Sequence, residues 1–428
     1  MKKIFITIIA LLQIIVLLSF AACGAEDTAT PEETKPESNK LKTVEKYSAE
    51  ILDKYLNPYW QTNEMYDEGG VIVGETGEIR LLRKPEKNSV IVRSVHFEET
   101  YREGIDYVVD GYYIRRVATG SMPYFKYDEY YFDAPYQGNN LLCDPGKAEI
   151  EYEGSKYLYY SEGSAGVKNY VMISYKTNDP YTQFIPSGDA NAQSFINKIK
   201  TDKKATIMFY GDSITAGCCA SGTVYGGNEN PYLPRWSELV SEWLAKNYDA
   251  EITHLNKAQG GWTTGQGMDH FFDDGSVLGE PERVGPYLDK IDLMLIAFGA
   301  NDPQISDEDY KTQIKTMVDY YLTARPTGSI VLVSPFVFNQ QTSNWYINQW
   351  RFEGLLEEIK AEYAANGKSS NVAVAKVYSF SNGICQTGKR NRDYLGNNIN
   401  HPNDFGVRMY AQVVLKTLCG EEFFPTTK

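Results

Sequence analysis

The feature that most constrains the fold is an alternation, after Pro186, of apolar runs with amphipathic segments. Residues 205–210 and 291–299 are predominantly apolar runs of strand length, typical of strands buried on both faces. Between them, residues 235–248 carry apolar side chains at helical spacing on one stripe. The alternation predicts a parallel α/β sheet with helices on both faces, and sites in such sheets lie at the carboxyl ends of the strands.

The chain from about residue 48 to 178 has a different rhythm. Short β-type runs are separated by turn signals such as Asp110-Gly111, and this spacing predicts an antiparallel β-sandwich. Tyrosines are abundant in residues 126–137. They suit half-buried sheet faces, and they also suit a sugar-stacking platform, so both interpretations stay open.

The N-terminus has the features of an export signal. Lys2 and Lys3 precede an apolar run over residues 4–20, which is just long enough for a plain membrane anchor. The following Ala-Ala-Cys-Gly resembles a bacterial lipobox, which implies that Cys23 is diacylated. We therefore predict a signal peptide over 1–22 and a protein that is exported and lipid-anchored to the outer face of the cell membrane.

Length and composition bound the remaining organisation. The 428 residues suggest two domains, which we place at 48–180 and 181–428. The Glu-, Thr- and Pro-rich sequence after Cys23 predicts a disordered tether over 23–47. A net charge of −14 argues against nucleic acid as a partner. The scattered cysteines do not form a disulfide framework, although one bridge is possible.

Four polar stretches follow or flank the predicted strands. They are GDSITAG (211–217), NKAQGGWTTG (256–265), GANDP (299–303) and NNINHPNDFG (397–406). Each alone is an ordinary turn or loop sequence. A parallel sheet brings the carboxyl ends of its strands to one rim, so the four stretches are expected to meet there.

These stretches together resemble the four blocks of the SGNH (GDSL-type) hydrolase superfamily, in its sequence order, over about residues 186–420. The matching residues are Ser213, Gly261, Asn301 and His401. The resemblance implies a flavodoxin-like parallel-sheet domain. A serine nucleophile needs a base, and a histidine titrates near neutral pH, so we assign Ser213 and His401 as the catalytic pair. The resemblance implies an oxyanion hole of the Ser213 and Gly261 amides and the Asn301 side chain.

The sequence departs from the superfamily at the residue that holds the histidine. An Asp usually stands three residues before the His, and here that position is Asn398. An amide cannot supply a negative charge, so Asp393, Asp404 or a backbone carbonyl could orient the imidazole instead, and the third member stays open. The Gly261 amide must approach the substrate, and we expect that no side chain would fit there. Trp262 either walls the acyl pocket or packs in the core.

The expected function is that of a serine esterase that removes O-acyl groups, with acetyl favoured, from carbohydrate. Some carbohydrate esterases of the superfamily use a Ser–His dyad and carry a β-sandwich ahead of the catalytic domain, a plan that this chain resembles. The alternatives are a lipase or thioesterase for longer acyl chains and a non-catalytic polysaccharide-binding lipoprotein. We predict no cofactor and no metal, and interpret Cys218 and Cys219 as packing residues or a disulfide.

Overall fold

Short antiparallel strands form most of the N-terminal half of the computed structural model, which describes residues 39–277, 281–345, 347–365 and 371–424. The strands are β1 (Glu64–Val71), β2 (Glu78–Arg80), β3 (Ile91–Ser94), β4 (Thr100–Tyr101), β5 (Tyr107–Asp110), β6 (Tyr113–Arg116), β7 (Tyr131–Phe132), β8 (Tyr157–Leu158) and β9 (Tyr170–Lys176). The short helices are α1 (Leu52–Leu56), α2 (Tyr127–Tyr130) and α3 (Ser164–Val167). The strands pair in sheets of order β1-β9-β3-β4, β2-β6-β5 and β7-β8.

A parallel sheet organises the C-terminal half. Its strands are β10 (Lys204–Gly211), β11 (Glu251–Asn256), β12 (Leu293–Ala297), β13 (Ser329–Val333) and β14 (Val372–Ala375). The helices are α4 (Gln193–Asp202), α5 (Ser213–Ala216), α6 (Trp236–Tyr248), α7 (Thr264–Asp269), α8 (Asp307–Ala324), α9 (Phe352–Ala365), α10 (Val377–Gln386) and α11 (Asp404–Cys419). The order β11-β10-β12-β13-β14 is the flavodoxin-like one. The predicted fold class, a parallel α/β sheet preceded by antiparallel sheets, is confirmed.

The last helix, α11, is buried along its whole length. It contacts α6 and β14 of the C-terminal half and α1 and β1 of the N-terminal half. The guanidinium of Arg408 donates to the carbonyls of Tyr66 (2.8 Å) and Asp67 (2.6 Å) in β1, and the Tyr59 hydroxyl donates to the carbonyl of Phe405 (3.0 Å). These bonds satisfy polar groups that burial would otherwise penalise. The two halves therefore share one hydrophobic core.

The predicted tether is wrong over its last residues. Leu41 and Val44 are buried in the shared core, and Arg93 donates to the carbonyl of Val44 at 2.7 Å. Burial of these two apolar side chains and the bond from Arg93 hold the segment against the rest of the chain. The predicted signal peptide, the lipidated Cys23 and the tether up to residue 38 lie outside the described residues, so they stay predictions.

Two further findings concern the described residues. None of their helices is both long enough and apolar enough to cross a lipid bilayer. The predicted domain boundary at 180/181 falls just after β9, within one compact unit that begins at Asn39.

Candidate active site

Ser213 stands at the start of a short helix because of the residues around it. Gly211 ends β10 where a Cβ would lie 2.4 Å from the carbonyl oxygen of Ala297, so the strand can pass there only without a side chain. Asp212 caps α5, and its carboxylate accepts from the amide of Ile214 at 3.0 Å. Gly-Asp-Ser thus turns the chain tightly and leaves the serine at the carboxyl end of the strand.

The imidazole of His401 reaches this serine. Its Nε2 lies 2.8 Å from the Oγ of Ser213, although 188 residues separate them in sequence. The histidine side chain is 12% exposed and the serine residue 5%, so the pair is shielded yet open to a cavity. The distance is that of a hydrogen bond through which a proton can pass from the hydroxyl to the ring.

Asn397 holds the loop that carries this histidine. Its Oδ1 accepts from the amides of Ile399, Asn400 and His401, each at 2.9 Å. Its Nδ2 donates to Oε1 of Glu162 at 2.9 Å. One buried side chain therefore fixes the backbone before the imidazole and ties it to a carboxylate from the N-terminal half.

That carboxylate, from Glu162, is the hydrogen-bond partner of the imidazole on the side away from the serine. Oε2 of Glu162 lies 2.9 Å from Nδ1 of His401, on the ring edge opposite the serine. Oε1 accepts from Tyr160 (2.8 Å) as well as from Asn397. Partial burial alone would raise the pKa of Glu162, but the bonds from His401, Asn397 and Tyr160 and the imidazolium charge outweigh it and lower the pKa to about 2. The group is therefore a carboxylate at any ordinary pH.

Asn398 does not orient the histidine, contrary to one of the predicted options. It is buried with φ +64°, and its side chain points to the N-terminal half. Nδ2 donates to the carbonyl of Tyr159 at 2.8 Å, and Oδ1 accepts from Tyr130 (3.1 Å) and Asn339 (3.0 Å). An amide suits this position because it both donates and accepts, which a carboxylate cannot do.

The two predicted aspartates are also wrong as partners of the imidazole. Asp393 accepts from the amide of Val71 at 2.9 Å and pairs with the buried Lys389 at 3.3 Å. Asp404 accepts from the amide of Ser221 at 2.8 Å, and burial raises its pKa to about 6. Both carboxylates are bound to structural partners that hold the loop and α11 in place.

The predicted oxyanion residues line the same cavity as the serine. Gly261 has φ +79°, and a Cβ there would meet nothing within 4 Å. The left-handed backbone by itself favours glycine here, and the open space beside it leaves room for the substrate that the Gly261 amide is predicted to approach. Nδ2 of Asn301 donates to the carbonyl of Trp262 at 2.9 Å, which fixes the amide and leaves its second hydrogen for a ligand. Gly299, at φ +128°, makes the turn that presents it.

Asp302 links the two loops that carry these donors. Its carboxylate accepts from the amide and the hydroxyl of Thr264, at 3.0 Å and 2.9 Å to Oδ2. Thr264 follows the Gly261 turn and begins α7, so the bond fixes Gly261 relative to Asn301. Such pre-organisation is what an oxyanion hole requires.

The comparison with protein families agrees with this geometry. Residues 209–409 match the model of the GDSL-like lipase/acylhydrolase family. These residues form a GDSL-like lipase/acylhydrolase domain. The matched range contains Ser213, Gly261, Asn301 and His401, but Glu162 lies before it. No match was found among curated proteins.

Several solved structures are similar to the chain at low identity. A two-domain esterase active on acetylated mannans is 21% identical over 54% of this chain and 53% of its own, with a TM-score of 0.38. An acetylxylan esterase from Geobacillus stearothermophilus is 16% identical over 57% and 100%, with a TM-score of 0.37. A lipase/acylhydrolase from Enterococcus faecalis is 20% identical over 50% and 94%, with a TM-score of 0.34. The chain thus spans about half of the two-domain esterase.

The cavity at the GDSL-like site has a volume of about 380 Å³. Trp262 is not among its lining residues; the indole stacks on His270 and lies under the guanidinium of Arg283. The predicted role of Trp262 as a substrate wall is therefore wrong for this cavity. The aromatic side chains that line it are Tyr160, Tyr225 and Trp345. A larger cavity of about 670 Å³ lies elsewhere and includes none of the residues of the GDSL-like site.

The cysteines that follow Ser213 in the chain, Cys218 and Cys219, are free thiols rather than a disulfide. Burial, followed by the charges of Glu162 and Asp212, raises the pKa of Cys218 to about 12. Burial likewise raises the pKa of Cys219 well above its ordinary value. A thiol that stays protonated is a poor nucleophile, so neither cysteine competes with Ser213.

Asp212 gives a pH-dependent stability that a single substitution tests. Full burial raises the pKa of Asp212 from 3.8 to about 7. Between pH 3.8 and 7 the folded chain therefore holds a proton on this carboxyl that the unfolded chain has lost. Stability from this group is full below pH 3.8 and is lost as pH rises through 7, by on the order of 4 kcal/mol. We expect the melting temperature of Asp212→Asn to fall less between about pH 4.5 and pH 7.5 than that of the wild type.

The control for this measurement is Asp274→Asn, at an exposed carboxylate. Its pKa is lowered by bonds from Ser276, so its titration lies below the tested window. The variant should follow the wild-type curve. Equal slopes for wild type and Asp212→Asn would show that Asp212 does not hold a proton in the folded chain.

Proposed function

We propose that the chain is a serine ester hydrolase that removes acetyl groups from hydroxyls of carbohydrates. The observation that carries the proposal is the continuous hydrogen-bonded row of Ser213, His401 and Glu162 facing a cavity that Gly261 and Asn301 also line. Two members of this row, Ser213 and His401, belong to the GDSL-like domain, where the serine follows the carboxyl end of β10, and Glu162 comes from the N-terminal half.

The reaction follows from the contacts. His401 accepts the hydroxyl proton of Ser213 at Nε2 while Oγ attacks the ester carbonyl. Glu162 holds the proton on Nδ1 and so keeps Nε2 free to accept. The negative oxygen that develops is stabilised by the amides of Ser213 and Gly261 and by Asn301. His401 then gives the proton to the sugar oxygen as its bond to the acyl carbon breaks, so that the sugar leaves with a free hydroxyl. Water then attacks the acyl-serine with His401 as base and releases acetate and the free serine.

The lining of the cavity supports a sugar as the leaving group. Tyr160, Tyr225 and Trp345 offer ring faces, and Asn139 and Asn400 offer amides. Rings that stack and amides that pair with hydroxyls form a suitable surface for a neutral polyhydroxyl ligand. Among the described lining residues, the groups that can carry a charge near neutral pH are Glu162 and His401, and both are engaged in the row.

The proposal predicts a preference for short acyl groups. On a series of nitrophenyl esters from acetyl to dodecanoyl, we expect kcat/KM to be highest for acetyl and to fall by at least about tenfold along the series. We also expect acetate release from acetylated xylan, acetylated mannan or acetylated monosaccharides, measured enzymatically.

Each outcome distinguishes the proposal from an alternative. A maximum at long acyl chains would indicate a lipase or thioesterase. Hydrolysis of nitrophenyl acetate without acetate release from any glycan would reject the carbohydrate substrate but keep the esterase. The absence of both activities in a folded sample would indicate a non-catalytic binding protein.

A further inference from the structure

Cys219 brings a thiol to the same carboxylate oxygen that holds the catalytic imidazole. Its Sγ lies 3.2 Å from Oε2 of Glu162, which lies 2.9 Å from Nδ1 of His401. One ligand atom from each of the three residues falls within 4.8 Å of the other two. We call these three residues the thiol–carboxylate–imidazole trio.

The thiol is held in place by the backbone around it. Cys219 has φ +66°, a conformation that is uncommon for a residue with a side chain and costs free energy. Gly396 packs against it so closely that a Cβ there would lie 2.5 Å from the Cβ of Cys219. The same Gly396 donates its amide to the carbonyl of His401 at 2.7 Å. The sulfur is therefore fixed relative to the imidazole loop.

Sulfur, imidazole nitrogen and carboxylate oxygen are together the ligand set of zinc. Around a tetrahedral Zn²⁺ with bonds of about 2.0–2.3 Å, ligand atoms lie about 3.3–3.7 Å apart. The Oε2–Nδ1 distance of 2.9 Å and the Sγ–Oε2 distance of 3.2 Å each open by a few tenths of an ångström on binding, and the Sγ–Nδ1 pair, which lies within 4.8 Å, closes by at most about 1 Å. We propose that the trio binds Zn²⁺, with water from the cavity as the fourth ligand, and that this binding inhibits the esterase. The inhibition, though not the binding, rests on the proposed function.

Inhibition follows from the tautomer of the imidazole. A neutral ring has one N–H, and a metal on Nδ1 requires that nitrogen to be deprotonated. The ring proton must then reside on Nε2, the atom that has to accept the proton of Ser213. Burial keeps the thiol of Cys219 protonated in the metal-free protein, but coordination to Zn²⁺ deprotonates it, and the proton goes to solvent. No oxidant or reductant is needed.

The ion has a route to the trio. Glu162 and His401 line the cavity, and the Glu162 side chain is 40% exposed. The net charge of −14 favours the approach of cations. Cys218 also lines the cavity but does not belong to the trio, and it therefore provides a matched control.

Binding is tested without reference to activity. The full chain is titrated with Co²⁺, which takes zinc sites and gives a thiolate-to-metal charge-transfer band in the near ultraviolet. We expect the band in wild type and Cys218→Ser, its loss in Cys219→Ser, and its displacement by Zn²⁺. The absence of a band in wild type, or its persistence in Cys219→Ser with loss in Cys218→Ser, would overturn the proposal.

Inhibition is tested with nitrophenyl acetate in a buffer that does not chelate metals. Each variant is compared with and without ZnCl₂, so that a changed basal rate does not affect the comparison. We expect chelator-reversible inhibition of wild type and Cys218→Ser, and a half-inhibitory concentration raised at least about tenfold in Cys219→Ser. If Cys219→Ser fails to fold, Cys219→Ala serves instead. Equal zinc sensitivity in all folded variants would contradict the assignment.

Discussion

Replacing Ser213 by alanine is expected to lower kcat/KM for an acetyl ester by about 10⁴- to 10⁶-fold. The hydroxyl is the atom that His401 contacts at 2.8 Å, and its removal leaves the oxyanion donors and the cavity but no acyl acceptor. Only the residual rate from binding and electrostatics should remain. The measurement is initial-rate kinetics, with burst-phase or mass-spectrometric detection of an acyl group on Ser213 in the wild type.

The matched control is Ser221→Ala. Ser221 lies in the same stretch of chain, but its hydroxyl accepts from the amide of Leu233 at 2.9 Å and does not touch the imidazole. We expect that variant to lose about 1 kcal/mol of stability and to keep its activity within a few-fold. Ser213→Ala activity within tenfold of wild type, in a folded sample, would place the chemistry on another residue and remove the proposed function.

The parallel sheet was predictable because most of its strands, all but the edge strand β11, are buried on both faces. An apolar run as short as residues 205–210 fits a buried strand better than any other element, and the structure has β10 there. The end of the last strand was not predictable. Residues 371–378 are apolar enough for one strand, but β14 ends at Ala375 and α10 begins at Val377. Short apolar runs do not distinguish a strand end from a buried helix start.

The burial of α11 depends on partners that are remote in sequence. Residues 404–418 contain Arg408, Gln412 and Lys416, which indicate a helix with one exposed face. The structure buries Arg408 because carbonyls of β1, more than 340 residues away, accept its hydrogen bonds. The sequence pattern of the helix itself contains no information about a hydrogen-bond partner so far away in the chain.

The residues of the candidate site also fall into those that the sequence predicted and one that it did not. Ser213, Gly261, Asn301 and His401 stand in sequence blocks whose order and strand-end positions are informative, and the structure brings them to one cavity. Glu162 was missed because it belongs to the N-terminal half, 239 residues before the histidine. Its surroundings, Tyr-Tyr-Ser-Glu-Gly, contain no motif. The one available signal was negative: Asn398 stands where a carboxylate was expected.

Replacing Glu162 by glutamine is therefore expected to lower kcat by about 10²- to 10⁴-fold, with a smaller change in KM. Glutamine keeps the size of the side chain and can keep one oxygen for the donors Asn397 and Tyr160. Its amide then faces Nδ1 of His401 as a donor and forces the ring proton onto Nε2. That tautomer cannot accept the proton of Ser213. A fall in kcat with little change in KM, and partial recovery of kcat in Glu162→Asp, would show that Glu162 positions the imidazole. A loss of folding would lower the amount of active protein in both variants alike.

The control places a carboxylate where the superfamily has one. In Glu162→Gln/Asn398→Asp the new carboxylate would face the carbonyl of Tyr159 and the hydroxyl of Tyr130 rather than the imidazole, so activity should not return. Rescue by that double variant would show that the loop repacks to a conventional triad. A Glu162→Gln rate within tenfold of wild type would show that a Ser–His dyad suffices. A loss of the expected size would mean that the N-terminal half supplies part of the catalytic machinery and is not a removable binding module.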